Sequence, residues 1–259
     1  NLLVQTPLGL LSNALLVPLL PVYSRLTAPA DRPELIARIR QGLMLSSASM
    51  LPLGALMVGL AVPIVKLVYE RGAFNHGAAQ LVAALLMAYG VGMPVYLARD
   101  VLVRVFYALG DGTTPFRWSV AGIGMNACFD WFLVGGPTPW GLQLPALNFG
   151  APGVVLATVS VNLITCLGLT WALAGRLGGL PLRAWGRDTL VLLGAALAAG
   201  GVAWGLSNWV AWPAGFLGLV LQNALCAGLA LATYGLIGSL AGVPEVRQLL
   251  AMAQRRRAA

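Results

Sequence analysis

Residues 79–108 read AQLVAALLMAYGVGMPVYLARDVLVRVFYA, and this long apolar run decides the fold of the chain. A helix needs about 20 predominantly apolar residues to cross the hydrocarbon core of a bilayer. The run exceeds that length, so it predicts a membrane-spanning helix that is tilted, or kinked at Pro94. Its charged residues, Arg99, Asp100 and Arg104, all lie in its second half.

Six further apolar runs predict an all-α, polytopic transmembrane helix bundle of about seven spans. The run at 41–69 contains Pro52 and Pro63 and is long enough to break into a span and a short helix. The chain has 259 residues, of which 59% are hydrophobic and 9% charged, whereas soluble domains are about 25% charged. Lipid is therefore the expected solvent. The other runs cover residues 2–24, 115–135, 151–174, 189–211 and 214–241.

Composition and motif content argue against several functional classes. The net charge of +8 invites a nucleic-acid interpretation, but the basic residues lie at the ends of apolar runs and form no continuous face. The three cysteines have neither disulfide nor metal spacing, and His76 is the one histidine. The sequence contains no catalytic triad, zinc spacing or phosphate-binding glycine loop. We therefore expect no enzyme, no nucleic-acid partner and no covalent cofactor.

The distribution of basic residues predicts the orientation in the membrane. Alternate connections contain only Lys66 and Arg71, and Arg99 lies inside a span. Because cytoplasmic connections are enriched in arginine and lysine, the other set is expected in the cytoplasm, together with the C-terminus. This arrangement suits a multi-pass membrane protein. The set comprises Arg25, Arg32, Arg38, Arg40, Arg104, Arg117, Arg176, Arg183, Arg187, Arg247, Arg255, Arg256 and Arg257.

Both ends of the sequence carry expectations of their own. The chain starts at Asn1 inside an apolar run, which predicts that an upstream part precedes it. Because the predicted orientation places this end outside, that part has an odd number of spans if the full protein starts in the cytoplasm. The tail at 243–259 places Val246, Leu249, Leu250 and Ala253 on one helical face and ends in arginines. It is either an amphipathic segment on the anionic inner leaflet or a basic stop-transfer end.

Polar side chains inside the spans are the candidate functional residues, because charge in a bilayer is costly and usually faces the bundle interior. Asp100 and Arg104 are four residues apart and therefore share a helical face, so they either pair structurally or face a substrate. Asn126 and Asp130 also share a face, and Thr158 on a neighbouring helix offers a hydroxyl. These oxygens suit a hard cation, and a satisfied polar network is the alternative.

Two stretches are more specific than composition. One is LVPLLPVYSRLTAPADRPEL at 16–35, and the other is YGVGMPVYLARDVLVRVFYALGDGTTP at 89–115. The RxFYALGDxxTP pattern at 104–115, together with LVYERGAFN at 67–75, resembles the MurJ/MviN family of lipid II flippases in the multidrug/oligosaccharidyl-lipid/polysaccharide exporter superfamily. The likeness follows the chain in order and corresponds to the second half of a fourteen-span protein.

The resemblance implies transport without chemistry on the substrate. Residues 1–175 would form the C-terminal lobe, 176–242 two extra spans with a groove for a polyprenyl tail, and 243–259 a cytoplasmic tail. The family implies a multi-pass protein of the bacterial cytoplasmic (inner) membrane that flips lipid II by alternating access for cell-wall synthesis. Membrane lipids and the missing N-terminal half would be its partners. Alternatives are an exporter of another polyprenyl-linked glycan and a non-transporting scaffold in cell-wall assembly.

The resemblance also assigns site residues. Sodium-binding positions of the family correspond to Asn126, Asp130, Val154 and Thr158. The first span departs from the family pattern, because Leu2 and Gln5 stand before Pro7 where charged residues are usual. Ser12 is a further neutral polar residue of that span, and much of the headgroup grip is expected from the upstream half. The substrate-cavity candidates are Gln5, Asn13, Arg99, Asp100 and Arg104.

Overall fold

The structure is a computed structural model that describes residues 2–69, 76–135, 146–247 and 249. Throughout these ranges the regular secondary structure is helical, as the composition predicts. Arg71, Leu250, Ala253 and the arginines at 255–257 lie outside the described residues. The helices are α1 (Leu2–Leu16), α2 (Leu19–Arg25), α3 (Arg32–Gly59), α4 (Ala61–Tyr69), α5 (His76–Ala108), α6 (Thr113–Val134), α7 (Ala151–Leu177), α8 (Leu182–Trp209) and α9 (Phe216–Leu240).

The predicted break in the second run is confirmed. α3 ends at Gly59 and α4 starts at Ala61, so the break falls four residues before Pro63. A proline ring clashes with the carbonyl four residues earlier and offers no N–H, which accounts for a break at this point. Pro52 stays inside α3, and Pro94 stays inside α5, which runs continuously over 33 residues.

Two helices begin seven or more residues before their apolar runs. α3 starts at Arg32 instead of residue 41, and α8 starts at Leu182 instead of residue 189. Hydropathy detects only the lipid-facing length, whereas the charged first turns are helical too. In α3 these turns are supported by the Glu34–Arg38 ion pair at 3.4 Å. Arg32, Arg38 and Arg40 therefore lie in a helix and not in a loop, which corrects the sequence-based boundary.

Six helical stretches within the described residues are long and apolar enough to cross a membrane. The remaining predicted span, the run at 115–135, corresponds to α6. This helix is outside that set because it carries Arg117, Asn126 and Asp130. Its 22 residues would still extend about 33 Å, the thickness of a hydrocarbon core. The six stretches are Leu3–Arg25, Pro29–Gly59, Gly77–Ala108, Ala151–Leu177, Leu182–Trp209 and Phe216–Leu240.

The chain divides into two compact units, and each is continuous in space but not in sequence. One unit contains Asn1–Leu43 and Val95–Pro181, and the other contains Met44–Pro94 and Leu182–Ala259. The boundaries fall inside α3 and inside α5 at Pro94. The functional division at 1–175, 176–242 and 243–259 stays a prediction, because compactness does not test it.

In the first unit, α6 and α7 form an antiparallel pair that packs through glycine. A Cβ on Gly153 would lie 3.0 Å from the carbonyl oxygen of Leu133, and one on Gly122 would lie 3.4 Å from Val161. At the other end of the pair, a Cβ on Gly168 would overlap the indole of Trp118. Small residues permit such close approach between membrane helices, and these contacts fix the register of the pair.

In the second unit, glycines bring α3 into backbone contact with two neighbours. Gly54 of α3 faces Gly90 of α5, where a Cβ on Gly90 would lie 2.8 Å from the Gly54 carbonyl oxygen. Five residues further along α3, a Cβ on Gly59 would lie 2.7 Å from the Gly200 carbonyl oxygen of α8. These contacts surround a core of small and aliphatic side chains that includes Ala199 of α8.

The start of the predicted tail belongs to this core. After α9 the chain turns at Gly242, whose φ is +77°, and Val243 N–H donates to the Gly238 carbonyl at 3.2 Å. Val246 is 3% exposed, and a Cβ on Gly238 would meet it at 2.9 Å. Leu249 packs against the same core. Part of the predicted apolar face of the tail is therefore covered by protein.

The Gly54–Gly90 contact generates a stability prediction. We expect Gly54→Ala to destabilise the folded protein by about 1–3 kcal/mol, because the added methyl would overlap the Gly90 carbonyl oxygen, which cannot rotate away. Gly194→Ala in α8 is the matched control, since a Cβ there meets nothing within 4 Å. Thermal unfolding of the purified full-length protein measures the difference, and equal melting temperatures for the two variants would contradict the packing described.

Candidate functional site

A polar groove lies along α6 and α7 and includes one side chain of α5. Its volume is about 370 Å³. Polar positions recur at helical spacing on the facing sides of both helices, so their side chains converge. The polar lining residues are Arg99, Ser119, Asn126, Thr158, Asn162 and Thr165. We call this feature the polar groove.

Most amide and hydroxyl groups of the polar groove have partners. The Asn126 side-chain amide donates to Asp130 Oδ2 at 2.8 Å. Thr158 Oγ1 donates to the Val154 carbonyl at 3.2 Å, and Asn162 donates to the Thr158 carbonyl at 2.7 Å. Beside the groove, Asp130 Oδ1 is buried and has no hydrogen-bond partner within the described part of the chain. An unpaired buried carboxylate oxygen is costly and marks a position where a cation would be stabilised.

The register of the helix pair bears on the sodium-site candidates. Leu133 lies opposite Gly153, and Gly122 lies opposite Val161. By the same antiparallel register, Asp130 is level with Val154 and Asn126 is level with Thr158. Asn126 and Thr158 both line the polar groove, whereas Val154 and Asp130 do not. No group of three acidic, histidine or cysteine side chains that could hold a metal occurs among the described residues.

The charged candidates of α5 are half-buried. Arg99 lines the polar groove, so the structure joins it to Asn126 and Thr158, which the sequence treated as a separate site. Both Arg99 and Arg104 lie near enough for their charges to act on the Asp100 carboxylate. The ion pairs found among the described residues do not include Asp100 with Arg104, so direct pairing of the two stays a prediction.

The remaining cavity candidates lie on α1. Gln5 and Asn13 are exposed, and Ser12 between them is half-buried. None of the three lines the polar groove. The structure therefore gathers Arg99, Asn126 and Thr158 and leaves the α1 residues apart from them.

A second polar cluster, centred on Asp111, was missed by the sequence analysis as a site. Asp111 Oδ1 accepts from the N–H groups of Thr113 and Thr114 at 3.1 and 3.0 Å and from the Thr113 hydroxyl at 2.9 Å. Its Oδ2 accepts from the Thr114 hydroxyl at 2.8 Å and from Arg176 Nη1 at 2.6 Å. Arg176 Nη2 also donates to the Leu109 carbonyl at 3.1 Å. The GDGTTP segment thus caps α6 and fastens the α5–α6 turn to the end of α7.

These contacts lower the pKa of Asp111. The Thr114 N–H is the largest cause, and the two threonine hydroxyls and Arg176 add to it, against an opposing effect of burial. The pKa of Asp111 falls to about 2. The signal in the sequence was the aspartate two residues before the first helical threonine, a typical N-cap pattern, whereas the Arg176 partner is 65 residues away and has no local signature.

The spans and the polar groove within them define the chain as part of a multi-pass, all-helical membrane protein. The family profile described as "Lipid II flippase MurJ" matches residues 1–222. A probable lipid II flippase MurJ from Synechocystis sp. is 47% identical over 251 residues, which is 95% of this chain and 44% of that protein. The chain therefore belongs to the MurJ family, and it spans less than half the length of this relative.

Further comparisons agree with this assignment. A lipid II flippase MurJ from Burkholderia cenocepacia is 27% identical over 90% of the chain and 43% of its own length. A probable multidrug resistance protein NorM from Pasteurella multocida is 29% identical over 62% of the chain and 32% of its own length. A solved structure titled "Lipid II flippase MurJ, inward closed conformation" has a TM-score of 0.65 and 21% identity, covering 88% of this chain and 44% of that one. This last comparison supports the fold.

The Asp111 cluster generates a pH prediction. Because its folded-state pKa lies below the ordinary aspartate value of about 3.9, the carboxylate stabilises the folded protein above that value. The contribution is lost as pH falls from about 4 through 2. We expect Asp111→Ala to cost about 1–2 kcal/mol at pH 7, as for loss of a helix cap. Melting temperatures measured from pH 8 to pH 3 should show the difference from wild type narrowing only below pH 4.

Asp31→Ala is the matched control for this prediction. Asp31 also precedes a helix, but its side chain makes no hydrogen bond within the described part of the chain. A stability loss for Asp31→Ala as large as that for Asp111→Ala would show that the cluster has no special role.

Proposed function

We propose that the chain is the C-terminal half of a flippase that moves lipid II across the bacterial cytoplasmic membrane during peptidoglycan synthesis. The observation that carries the proposal is the 47% identity, over 95% of the chain, to a relative named as a probable lipid II flippase. Transport by alternating access needs no bond to be made or broken, so we expect no enzymatic activity. The partners would be lipid II, membrane lipids and an N-terminal half.

Arg99 is the residue of the polar groove best suited to the substrate. A guanidinium offers five fixed N–H donors that match the oxygens of a phosphate, and its positive charge interacts more strongly away from bulk water. Ser119, Asn162 and Thr165 add neutral hydrogen-bonding groups along the same groove. Asp100 and Arg104 would balance the charge of Arg99 when the substrate is absent. Rocking of this lobe against the missing half would then expose the groove alternately to the two sides.

An apolar groove in the second unit is the proposed place of the polyprenyl tail. Its volume is about 540 Å³, and α3, α5 and α8 line it. We define the apolar groove by Leu51, Gly54, Ala55, Val58, Gly59, Met87, Gly90, Val91, Pro94, Leu193, Ala196, Leu197, Gly200, Gly201 and Trp204. α8 is one of the two extra spans to which the resemblance assigned a tail groove, and α9 contributes none of these residues. A long isoprenoid chain would find only hydrocarbon contacts there.

The proposed orientation places the C-terminus in the cytoplasm. In the first unit, one small cavity is lined by Arg32, Leu109 and Arg176, so three arginine-rich connections share one end of that unit. In the second unit, Lys66, Ser207 and Gln222 line another cavity, so the connections nearly free of basic residues share one end there. The positive-inside rule then assigns the arginine-rich end to the cytoplasm.

A sodium ion fits the oxygen groups beside the polar groove. Asp130 Oδ1 is the strongest candidate ligand, because it is buried and unpaired. Asn126 Oδ1 remains free to accept, since that side chain donates through its amide nitrogen. Thr158 and the Val154 carbonyl would complete the set from α7. A bound cation would stabilise the carboxylate and link the positions of α6 and α7 to the ion gradient.

Replacement of the unpaired carboxylate tests the sodium proposal. We expect sodium to raise the melting temperature of the purified full-length protein, and Asp130→Asn to reduce that increase by about half or more, because the ligand charge is lost. Potassium at equal ionic strength controls for screening. Asp188→Asn, at the start of α8, is the matched carboxylate control. An unchanged sodium response in Asp130→Asn would contradict the site.

Arg99 provides the test of transport. We expect Arg99→Gln in the full-length protein to lower lipid II flipping about tenfold, the loss typical of one charge-assisted contact. Rescue of flippase-depleted cells and lipid II translocation in reconstituted vesicles would both be measured. Arg187→Gln is the control, since the Arg187 side chain is 82% exposed at the start of α8. A scaffold would still support growth with Arg99→Gln, and failure of the wild-type protein to rescue would reject the flippase.

A further inference from the structure

The second unit contains a polar cavity of its own, which has no role in the proposed transport. Its volume is about 290 Å³, and it lies where α4, α8 and α9 meet. Its polar lining residues are Lys66, Ser207, Asn208 and Gln222, with Trp204 as an aromatic wall. We call this feature the lysine pocket.

Hydrogen bonds between helices hold the lysine pocket in shape. The Asn223 side-chain amide of α9 donates to the Pro63 carbonyl of α4 at 3.2 Å and to the Leu219 carbonyl at 2.8 Å. Next to it, Gln222 Nε2 donates to the backbone carbonyl and the hydroxyl of Ser207 in α8, both at 3.1 Å. The helix that carries Lys66 is therefore fixed relative to α8 and α9.

The charge of the lysine pocket favours an anion. Lys66 is half-buried and is the one lysine in the 259-residue sequence. Among the described residues no acidic side chain lines the pocket, and Lys66 has no ion-pair partner there. Its ammonium group offers three donors, the Ser207 hydroxyl offers one, and Asn208 keeps one N–H after donating to the Trp204 carbonyl at 2.7 Å. These donors can surround a tetrahedral phosphate.

The lysine pocket adjoins the apolar groove. Val58, Gly59, Met87 and Trp204 line both cavities, so a single molecule could occupy them together. We call the lysine pocket and the apolar groove together the slot. The groove is lined by hydrocarbon, and the pocket presents a cation and hydrogen-bond donors. This is the polarity of a lipid with an anionic head.

We propose that the slot binds a phosphate-headed membrane lipid, with its phosphate against Lys66, Ser207 and Asn208 and one apolar chain in the apolar groove. Burial of the chain supplies most of the affinity, and the charge-assisted contact with Lys66 selects for the phosphate. The connections that surround the lysine pocket are those nearly free of arginine, so the lipid would come from the outer leaflet. The lysine pocket has no part in the flippase proposal, but the apolar groove is shared with it, so the membrane lipid and the polyprenyl tail would exclude each other there. The lipid site does not require the flippase function to be correct.

The probe for the head is dioleoylphosphatidylglycerol, titrated onto the detergent-purified full-length protein while the melting temperature is measured. We expect a concentration-dependent rise for the wild type, and about tenfold weaker apparent binding for Lys66→Gln. Arg183→Gln removes one exposed charge from the first turn of α8 and should bind like the wild type. Ser207→Ala and Asn208→Ala, which keep the lysine, should each bind several-fold more weakly.

Two further ligands distinguish the contribution of the phosphate head to binding from that of the acyl chains. Dioleoylglycerol has the chains without the phosphate, and glycerol phosphate has the phosphate without chains. We expect each to stabilise the wild type less than the complete lipid at the same concentration. Equal stabilisation by dioleoylglycerol would overturn phosphate recognition, and equal stabilisation by glycerol phosphate would overturn the role of the apolar groove.

A pair of glycine variants tests the proposed position of the lipid's acyl chain. Gly201 lines the apolar groove, and a Cβ there meets nothing within 4 Å, so Gly201→Leu has room at its Cβ to place a side chain in the groove. Gly194 on the same helix is equally open but does not line the groove, which makes Gly194→Leu the matched control. We expect Gly201→Leu to weaken lipid binding and Gly194→Leu to leave it unchanged.

The binding experiment and the transport assay fail independently. If Lys66→Gln and Gly201→Leu bind phosphatidylglycerol as the wild type does, the lipid site is wrong, and a wild-type protein that translocates lipid II would still support the flippase function. If the wild type translocates no lipid II but the Lys66 and Gly201 dependence holds, the flippase function is wrong and the lipid site stands.

Discussion

Two apolar helices in a bilayer gain little by leaving lipid for each other, so this protein depends on places where backbones can touch. Glycine provides those places. Gly54 and Gly90 bring α3 against α5, and Gly153 brings α7 against the Leu133 carbonyl of α6. At such distances the dispersion contacts of many atoms are gained together, and a single added methyl removes them.

The same glycine contacts determine where space is left open. In the first unit, the contacts at Gly122 and Gly153 fix the register of α6 and α7, and this register brings Asn126 level with Thr158 along the polar groove. In the second unit, Gly59 allows α3 to contact Gly200 of α8. Because these glycines have no side chains, the apolar groove stays open beside the contact. Packing and ligand space therefore have one origin, because the residue type that permits contact also leaves volume.

Much of the fold follows from the sequence, because a bilayer imposes one length and one polarity on each span. The apolar runs located the long helices, and Pro63 explains why α4 separates from α3. Hydropathy could not place the starts of α3 and α8, since charged turns such as Arg32–Arg38 are helical without being apolar. The sequence grouped Asn126 with Thr158 and treated Arg99 separately, because the presence of all three along one groove depends on how the helices pack. The Asp111–Arg176 contact and the lysine pocket depend on residues from separate runs, which no local pattern joins.

The turn at Gly242 gives the last described residues a structural role. Its left-handed backbone sends the chain back on itself, so that Val243 and Val246 close a seam between small residues of α8 and α9. Shortening the protein after Leu240 would keep every span and yet open that seam to water. The segment after the last span therefore stabilises the packing of α8 against α9.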